Sequence, residues 1–292
     1  MKKILLLVCL LSGPFYSLLQ AQTPEVKGLN TINQQTAEAH IGFLADDLLE
    51  GREAGFKGGR LAGAYIVSCL KAMGVSPLQD SYYQPFEAYN RERQKRGRYQ
   101  VHPDSIAVLK QQTHQCLQLN NVLAKIEGKN PDEYVIVGAH YDHLGMDPAL
   151  AGDQIYNGAD DNASGVSAVL QIARAFLATG VKPERTVIFA FWDGEEKGLL
   201  GSSYFVQSFP YIDRVKGYLN FDMIGRNNNE ANPEHVVYFY TEAHPVFGDW
   251  LKRDISKYGL KLKPNYRPWD KPVGGSDNAS FAKLNIPVIW YH

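Results

Sequence analysis

Histidine and carboxylate residues come together in three short segments near the middle of the chain. The segments read HYD at His140–Asp142, GADDNASG at Gly158–Gly165 and DGEE at Asp193–Glu196. Carboxylate oxygens mixed with imidazole nitrogens are the ligands of a catalytic zinc site, and the adjacent pair Glu195 and Glu196 can supply one ligand and one general base. The residue types and their order predict a zinc hydrolase.

These polar residues follow segments that read as buried strands. His140 follows YVIVGA, Glu195 and Glu196 follow VIFAFWDG, and Asp222 follows GYLNF, while Asp160 and Asp161 lie in a glycine-bounded loop before a helix. In parallel sheets, ligands gather beyond the carboxyl ends of the strands. A lone histidine after a strand is more often a hydrogen-bonded polar group, and a lone Glu-Glu is usually a solvated turn. Their joint placement favours a metal site.

The elements that must position these residues alternate along the chain. Hydrophobic patterning predicts strands at 121–126, 134–139, 186–192, 215–221, 236–241 and 287–291, and helices at 35–47, 60–73, 164–178, 200–209 and 247–257. Residues 48–59 read as a glycine-rich turn region, and residues 82–98, which are aromatic and charged, are expected to cover the core. The alternation predicts an α/β fold with a mixed, largely parallel central sheet flanked by helices on both faces.

The N-terminal segment has the pattern of a secretory signal. Lys2 and Lys3 precede an apolar run, and the segment closes at Ala21. We expect residues 1–21 to be a signal peptide, with a secreted or periplasmic mature chain, residues 22–116 to be a helical and irregular part that packs on the core, and residues 117–292 to be the core of the same catalytic domain. A lipid anchor on Cys9 is the rival, but Leu7 and Val8 lack the small residue it needs.

Composition excludes some partners. The formal net charge is -1, from 30 basic and 31 acidic residues, so nucleic acid is not expected. The apolar run of the signal is too short to span a bilayer, so no membrane association is expected once it is removed. Cys69 and Cys116 could pair in an oxidising compartment, although two separate thiols are the favoured interpretation.

Four motifs in this order resemble metallopeptidase family 28, the co-catalytic dizinc aminopeptidases. They are HYDHLG (His140–Gly145), NGADDNASG (Asn157–Gly165), DGEEKGLLGS (Asp193–Ser202) and NFDMIGR (Asn220–Arg226). Weaker similarity lies in LLEGREAG and GGSDNASFAKLNIPV, which begin at residues 48 and 274. The resemblance runs from about residue 44 to the last residue and implies the zinc-dependent exopeptidase fold, with peptides as substrates.

The resemblance also implies a role for each residue of the motifs. His140 and Asp222 would bind the first Zn²⁺, Asp161 would bridge both ions, Glu196 would bind the second, Glu195 would be the general base, and Asp142 would hydrogen-bond His140. A cis peptide bond between Asp161 and Asn162 is implied too. Zinc lowers the pKa of water towards about 7, and Glu195 would move that proton to the leaving amine.

The chain departs from the family pattern in two places. The family's second zinc takes a histidine from a segment beyond the strand at 287–291, and His292 falls too early to be that ligand. We therefore expect the second site to lack its histidine and the last helix to be missing, in either a fragment or a natural protein with a weak second site. Asn278 stands where many relatives carry a histidine that is not a ligand.

Other candidate residues have ordinary interpretations. His143 is expected to hydrogen-bond locally rather than to bind metal, and His235 and His244 are expected at the surface. Four aromatic residues could line a substrate pocket, but core packing is the better interpretation: Trp192, Tyr240, Trp250 and Phe281. Ser164 is not expected to be a nucleophile, because no G-x-S-x-G motif surrounds it.

The sequence thus predicts a secreted or periplasmic zinc aminopeptidase, with alternatives left open. A glutaminyl cyclase shares the fold but uses one zinc, at the positions of Asp161, Glu196 and the later histidine. A carboxypeptidase would need a basic residue for the substrate carboxylate, such as Arg226 or Arg267. A catalytically silent peptidase-like binding protein is disfavoured by the presence of Glu195. Cobalt or manganese could replace zinc.

Overall fold

The computed structural model describes residues 23–91, 99–227, 229, 231–269 and 275–292. The predicted signal peptide with Cys9, and residues 92–98 of the aromatic stretch, lie outside the described residues. Within the described ranges, no helix combines the length and apolarity needed to cross a membrane. Cys69 is half-buried, Cys116 is exposed, and both are free thiols.

The strands of the described part form a nine-stranded mixed sheet. They are β1 (Ser76–Pro77), β2 (Tyr83–Arg91), β3 (His114–Ile126), β4 (Asn130–His140), β5 (Arg185–Trp192), β6 (Val215–Phe221), β7 (His235–Tyr240), β8 (Lys263–Pro268) and β9 (Val288–Tyr291). Their order is β1-β3-β5-β4-β6-β9-β7-β8, and β2 pairs with β3. The central strands β5, β4, β6 and β9 are parallel, which confirms the predicted mixed, largely parallel sheet.

Helices cover both faces of this sheet. They are α1 (Pro24–Leu29), α2 (Gln34–Leu44), α3 (Lys57–Met73), α4 (Pro103–Leu109), α5 (Gly165–Ala178), α6 (Leu200–Ser208), α7 (Val246–Lys257) and α8 (Asn278–Ala282). Strand β5 shows why both faces need cover. Its alternate residues Phe189 and Phe191 pack with α2, α3 and α5, whereas Ile188 and Trp192 pack with α6 and α8. A central strand buried on both faces reads as a continuous apolar run.

The prediction for residues 82–98 was wrong where the structure describes them. Residues 83–91 form strand β2, which pairs antiparallel with β3 along its whole length. Phe86 and Ala88 of this strand are buried against Leu119 and Val101. The pairing also extends β3 back to His114, seven residues before the predicted start at Asn121. Because β1 and β2 both pair with β3, the N-terminal part of the chain contributes strands to the same sheet as the core.

Candidate metal centre

Three of the predicted site segments leave the same edge of the sheet. His140 is the last residue of β4, Asp193 follows β5, and Asp222 follows β6. Strand β4 lies between β5 and β6 and runs parallel to both, with His140 opposite Trp192. The irregular turn Ala159–Ser164, which precedes α5, carries Asp161 to this edge. Its Asp161–Asn162 peptide bond is cis, as the resemblance implied.

The first cluster at this edge joins three predicted ligands. His140 Nε2 lies 3.1 Å from Asp161 Oδ1 and 3.6 Å from Asp222 Oδ1. The three side chains offer ligand atoms that lie within 4.8 Å of one another. His140 and Asp222 are buried, and Asp161 is half-buried. The structure therefore brings together the residues that the resemblance assigned to the first zinc.

The second cluster contains His143, which was expected to hydrogen-bond locally rather than to bind metal. His143 Nδ1 lies 2.7 Å from Glu196 Oε1 and 4.0 Å from Asp161 Oδ2. The ligand atoms of these three residues also lie within 4.8 Å of one another. The expectation that His143 hydrogen-bonds locally was wrong, because its partner Glu196 is 53 residues away in the sequence. The motif HYDHLG shows that His143 is close in sequence to His140, but the pairing of β4 with β5 determines that its ring meets Glu196.

The side chain of Asp142 binds the backbone of two other site residues. Its buried carboxylate accepts hydrogen bonds from the backbone N–H groups of Glu195, at 3.0 Å, and Glu196, at 3.3 Å. The nearest acceptor to His140 Nδ1 is the Asp142 backbone carbonyl, at 3.2 Å, while the carboxylate oxygen is 3.6 Å away. The expected contact with His140 is thus made by the Asp142 backbone, and the side chain holds the DGEE turn.

The electrostatics of the site favour a bound cation. Burial on its own lowers the pKa of His140, but the carboxylates of Asp222 and Glu195 reverse this and raise the pKa well above 6.5. Burial raises the pKa of Glu195 to about 9, with protonated His140 opposing the rise. A buried pocket with several carboxylates is stabilised by positive charge, whether a proton or a metal ion. The imidazole and carboxylate donors are those that zinc binds, so the residues present fit that ion.

A buried arginine braces this centre, and the sequence analysis missed it. Arg52 donates hydrogen bonds to five backbone carbonyls: those of Leu44, Tyr141, Asn157, Gly158 and Asp161. Its side chain is fully buried, which lowers its pKa to about 10. Arg52 lies in the motif LLEGREAG, whose glycine-rich composition predicts only a turn region. Its guanidinium links the segments that carry His143 and Asp161.

A second buried carboxylate lies close to the centre. Asp277 is fully buried, and burial raises its pKa to about 7 while protonated His140 opposes the rise. Its neighbour Ser276 accepts a 2.8 Å hydrogen bond from Asn220 on β6. Asn278, the departure from the family pattern, is buried beside it. The negative charge of Asp277 contributes to the raised pKa of Glu195.

The remaining candidate residues of the described ranges are not members of the two clusters. Trp192 and Phe281 belong to the core, as expected, and Tyr240 packs with Phe247. Trp250 is exposed, His244 is exposed, and His235 is half-buried in strand β7. His292 Nδ1 lies 3.1 Å from the Asp222 carbonyl, and the ring contacts Trp290. Within the described ranges, His292 is in neither metal-ligand cluster.

Several curated proteins are similar in sequence to part of this chain. Leupeptin-inactivating enzyme 1 of Streptomyces exfoliatus is 33% identical over 170 residues, which are 58% of this chain and 34% of that protein. Leucine aminopeptidase 2 of Trichophyton equinum is 39% identical over 179 residues, 58% of this chain and 32% of that protein. A glutamate carboxypeptidase 2 homolog of Caenorhabditis elegans is 33% identical over 199 residues, 59% and 24% respectively. The chain spans about a third or less of the length of these relatives.

Solved structures share the fold. The zinc aminopeptidase BSAP from Bacillus subtilis superposes with a TM-score of 0.65 at 16% identity, over 88% of this chain and 84% of that one. Porphyromonas gingivalis glutaminyl cyclase superposes with a TM-score of 0.57 at 17% identity, over 89% of this chain and 83% of that one. At these identities the likeness concerns the fold alone.

The family assignment depends on the sequence and agrees with the geometry. The family model described as peptidase family M28 matches residues 121–292, more than half of the chain. This matched range contains both metal-ligand clusters. The chain belongs to peptidase family M28.

Proposed function

We propose that this chain is the catalytic core of a zinc aminopeptidase, which hydrolyses the N-terminal peptide bond of peptides. The observation that carries the proposal is the pair of imidazole–carboxylate clusters that share Asp161. Asp161 presents Oδ1 to His140 and Oδ2 to His143, so one carboxylate can bridge two cations. A peptide-bond hydrolase needs an activated water and a stabilised oxyanion.

The chain's residues divide this work between them. His140, Asp161 and Asp222 would hold one zinc, and Asp161 and Glu196 would contribute to a second. Bound zinc acts as a Lewis acid, which makes water acidic enough to attack at neutral pH and polarises the scissile carbonyl. The carboxylates also attract the cationic α-amine of a peptide, which would select for a free amino terminus.

Glu195 is the proposed general base. Its backbone is held by Asp142, and burial raises the pKa of its carboxyl to about 9. Cations bound in the two clusters would favour the ionised form of this carboxyl, which would then accept the proton of the attacking water on a carboxylate oxygen. The same oxygen can then give this proton to the leaving amine.

One specific observation supports an alternative, a carboxypeptidase. Arg226 lines a cavity of about 390 Å³ beside the centre, together with Asp160, His235, Lys263 and His292. A basic cavity at this position could bind a substrate carboxylate. Arg267, the other candidate, lies on β8 and is exposed. Glutaminyl cyclase activity receives weaker support, because the cluster of His140, Asp161 and Asp222 has no place in a single-zinc site of that type.

The test compares substrates that differ only in their termini. The chain, loaded with Zn²⁺, is assayed with aminoacyl p-nitroanilides, with their N-acetylated counterparts, and with N-acetylated dipeptides that have a free carboxylate. We expect turnover of the free-amine substrates alone. Turnover of the acetylated dipeptides instead would support the carboxypeptidase. Conversion of the N-terminal Gln of Gln-peptides to pyroglutamate, with release of ammonia and no cleavage of the peptide bond, would support the cyclase.

A variant tests the role of Glu195. Glu195→Gln preserves the size of the side chain and is expected to lower kcat about 10²–10⁴-fold with zinc content unchanged, because general-base catalysis contributes a factor of this size. Glu242→Gln, on an exposed loop, is the matched control and should keep full activity. Undiminished turnover by Glu195→Gln would refute the assignment.

We also propose that residues 1–21 direct export. The support is the basic start, apolar run and small closing residue of this segment. N-terminal sequencing of the protein from the medium or periplasm of an expressing bacterium should begin at Gln22. A product that stays in the cytoplasm with Met1 intact would refute this.

A further inference from the structure

Two of the three side chains in the second cluster were already assigned to zinc, and the third was not. Asp161 and Glu196 are the assigned pair, and His143 is the additional residue. Within the part of the chain that the structure describes, just two groups of three side chains meet the geometric requirement for a metal site. Both groups include Asp161, and each has one histidine. The cluster with His143 therefore repeats the donor set of the cluster with His140.

The backbone at His143 is held firmly from one side. Its N–H donates a 3.1 Å hydrogen bond to the Arg52 carbonyl, and the N–H of Gly145 donates a 3.0 Å bond to the Gly51 carbonyl. Glu53 also forms an isolated parallel β-bridge with His143. The ring is nearly buried, with 8% of the residue exposed. A histidine in a free surface turn would lack both restraints.

A glycine leaves the space that the ring occupies. Gly158 has a φ of +61°, and a Cβ at this position would lie 2.6 Å from His143 Cδ2. The Cδ2 edge of the ring therefore packs against Gly158, and Nδ1 faces Glu196 and Asp161. Gly158 belongs to the same loop as Asp161, so this loop shapes the space around both the carboxylate and the imidazole.

The distances suit a small cation between these atoms. A tetrahedral zinc with bonds of 2.0–2.2 Å separates its ligand atoms by about 3.4 Å. The separations from His143 Nδ1, 2.7 Å to Glu196 and 4.0 Å to Asp161, lie on either side of that value. Shifts of less than about 1 Å would equalise them, within the range that side-chain rotation provides.

We infer that His143 Nδ1 is a ligand of the second zinc, together with Asp161 and Glu196. The inference rests on the zinc binding of the proposed function and adds to it the nitrogen donor of the second site. Asp161 would then contribute to both metal sites, and each site would have one histidine and carboxylates from this chain. The alternative role for His143 is a hydrogen bond to Glu196 with no contact to metal, and the two roles predict different results for one substitution.

The test is zinc titration of His143→Asn. Asparagine places an amide N–H where Nδ1–H would be, so it can keep a hydrogen bond to Glu196 but cannot supply an imidazole ligand. The chain is stripped of metal, titrated with ZnCl₂ by calorimetry, and analysed for bound zinc after dialysis. We expect two zinc ions in the wild type and in the control His244→Asn, whose side chain is exposed.

For His143→Asn we expect one tightly bound zinc and a second Kd raised more than about 100-fold. Removing a hydrogen-bond partner of a ligand typically costs about 10–100-fold, and removing a ligand costs more. A Kd raised 100-fold or less would overturn the inference, as would fewer than two zinc ions in the wild type. Two zinc ions without aminopeptidase turnover would refute the proposed function and leave His143 as a ligand.

A second measurement needs no variant and covers the case in which His143→Asn fails to fold. In ¹⁵N-histidine spectra of the wild type, zinc should shift the His143 Nδ1 resonance to that of a metal-bound nitrogen, with Nε2 protonated. A resonance that does not change between the metal-free and zinc-loaded protein would overturn the inference.

Discussion

The carboxylate of Asp142 fixes the backbone of Glu195, since Asp142 Oδ1 accepts a 3.0 Å hydrogen bond from the Glu195 amide. Its other oxygen accepts a 3.3 Å bond from the Glu196 amide. Asp142 follows β4 and Glu195 follows β5, and these strands are parallel neighbours. A side chain at the end of one strand therefore positions both the proposed base and a proposed ligand that follow the next.

Asp142→Asn should weaken this arrangement without unfolding the protein. The amide keeps one acceptor but places an N–H group opposite a backbone donor, so one hydrogen bond is lost. Because a partner that orients ligands contributes about 10–100-fold to metal affinity, we expect the zinc Kd to rise by that factor and kcat to fall with it. Calorimetry and steady-state assays measure both effects. Asp249→Asn, on the first turn of α7, is the control; equal results for the two variants would contradict this role.

Arg52→Lys should destabilise the fold and the centre together. Lysine keeps the charge but loses the planar fork, so several of the five carbonyls that Arg52 contacts would be left without a donor. We expect the free energy of unfolding to fall by about 3 kcal/mol, in the range for a broken buried network, and the zinc affinity to fall as well. Urea denaturation measures the first and calorimetry the second.

The matched control for Arg52 is Arg60→Lys. Arg60 donates one exposed hydrogen bond, to the Gly55 carbonyl at 2.9 Å. We expect a change within about 0.5 kcal/mol for this surface substitution. A similar loss of stability in both variants would mean that the buried contacts of Arg52 do not hold the loop that carries Asp161.

Gly158→Ala should lower the free energy of unfolding far more than Gly180→Ala. Both glycines have positive φ, so both substitutions carry the backbone strain of a left-handed residue, about 1–2 kcal/mol. A Cβ at Gly158 would also lie 2.2 Å from the Asp161 carbonyl and 2.6 Å from Arg52 Nη2, whereas nothing lies within 4 Å at Gly180. For Gly158→Ala, but not for Gly180→Ala, we expect the free energy of unfolding to fall further, by about 1–3 kcal/mol, and zinc binding to weaken. Thermal denaturation with and without zinc separates the two losses.

His40 should make the fold less stable in mild acid. Its Nδ1 lies 2.8 Å from the Tyr65 hydroxyl, and burial, with Arg174 nearby, lowers its pKa below 6.5. Between the folded and unfolded pKa values the unfolded chain binds more protons, so stability falls as pH drops through 6.5 and below. The slope is at most about 1.4 kcal/mol per pH unit.

The measurement is the difference in the free energy of unfolding between the wild type and His40→Asn. The contributions of the other titrating groups are common to both proteins and cancel in this difference. From pH 8 to pH 5 the wild type should lose stability relative to the variant, as judged by urea denaturation at each pH. Above pH 7.5, where histidine is neutral in both states, the difference should be constant. A difference that stays constant down to pH 5 would show that His40 is equally protonated in both states.

Local pattern predicted most of the core elements and the order of the ligand segments. Apolar runs placed β5 and β6 to within one residue of their bounds, and α3 ends at Met73 as predicted, with Gly74 following at a φ of 77°. Strand β2 was missed because its exposed and buried residues do not alternate regularly, and only its pairing with β3 defines it. The assignment of residues to individual metals came from the resemblance and stays a prediction.

The sequence by itself determined that His140, Glu196 and Asp222 follow strand-like segments and that Asp161 lies in a loop before a helix, because hydrophobic periodicity is local and parallel strands end at one edge. Only the tertiary structure decided which groups meet there. Arg52 bonds to carbonyls up to 109 residues away, and His143 meets Glu196 across two parallel strands. Such contacts depend on the register of the sheet and on the space left at Gly158, and neither is a property of a short segment.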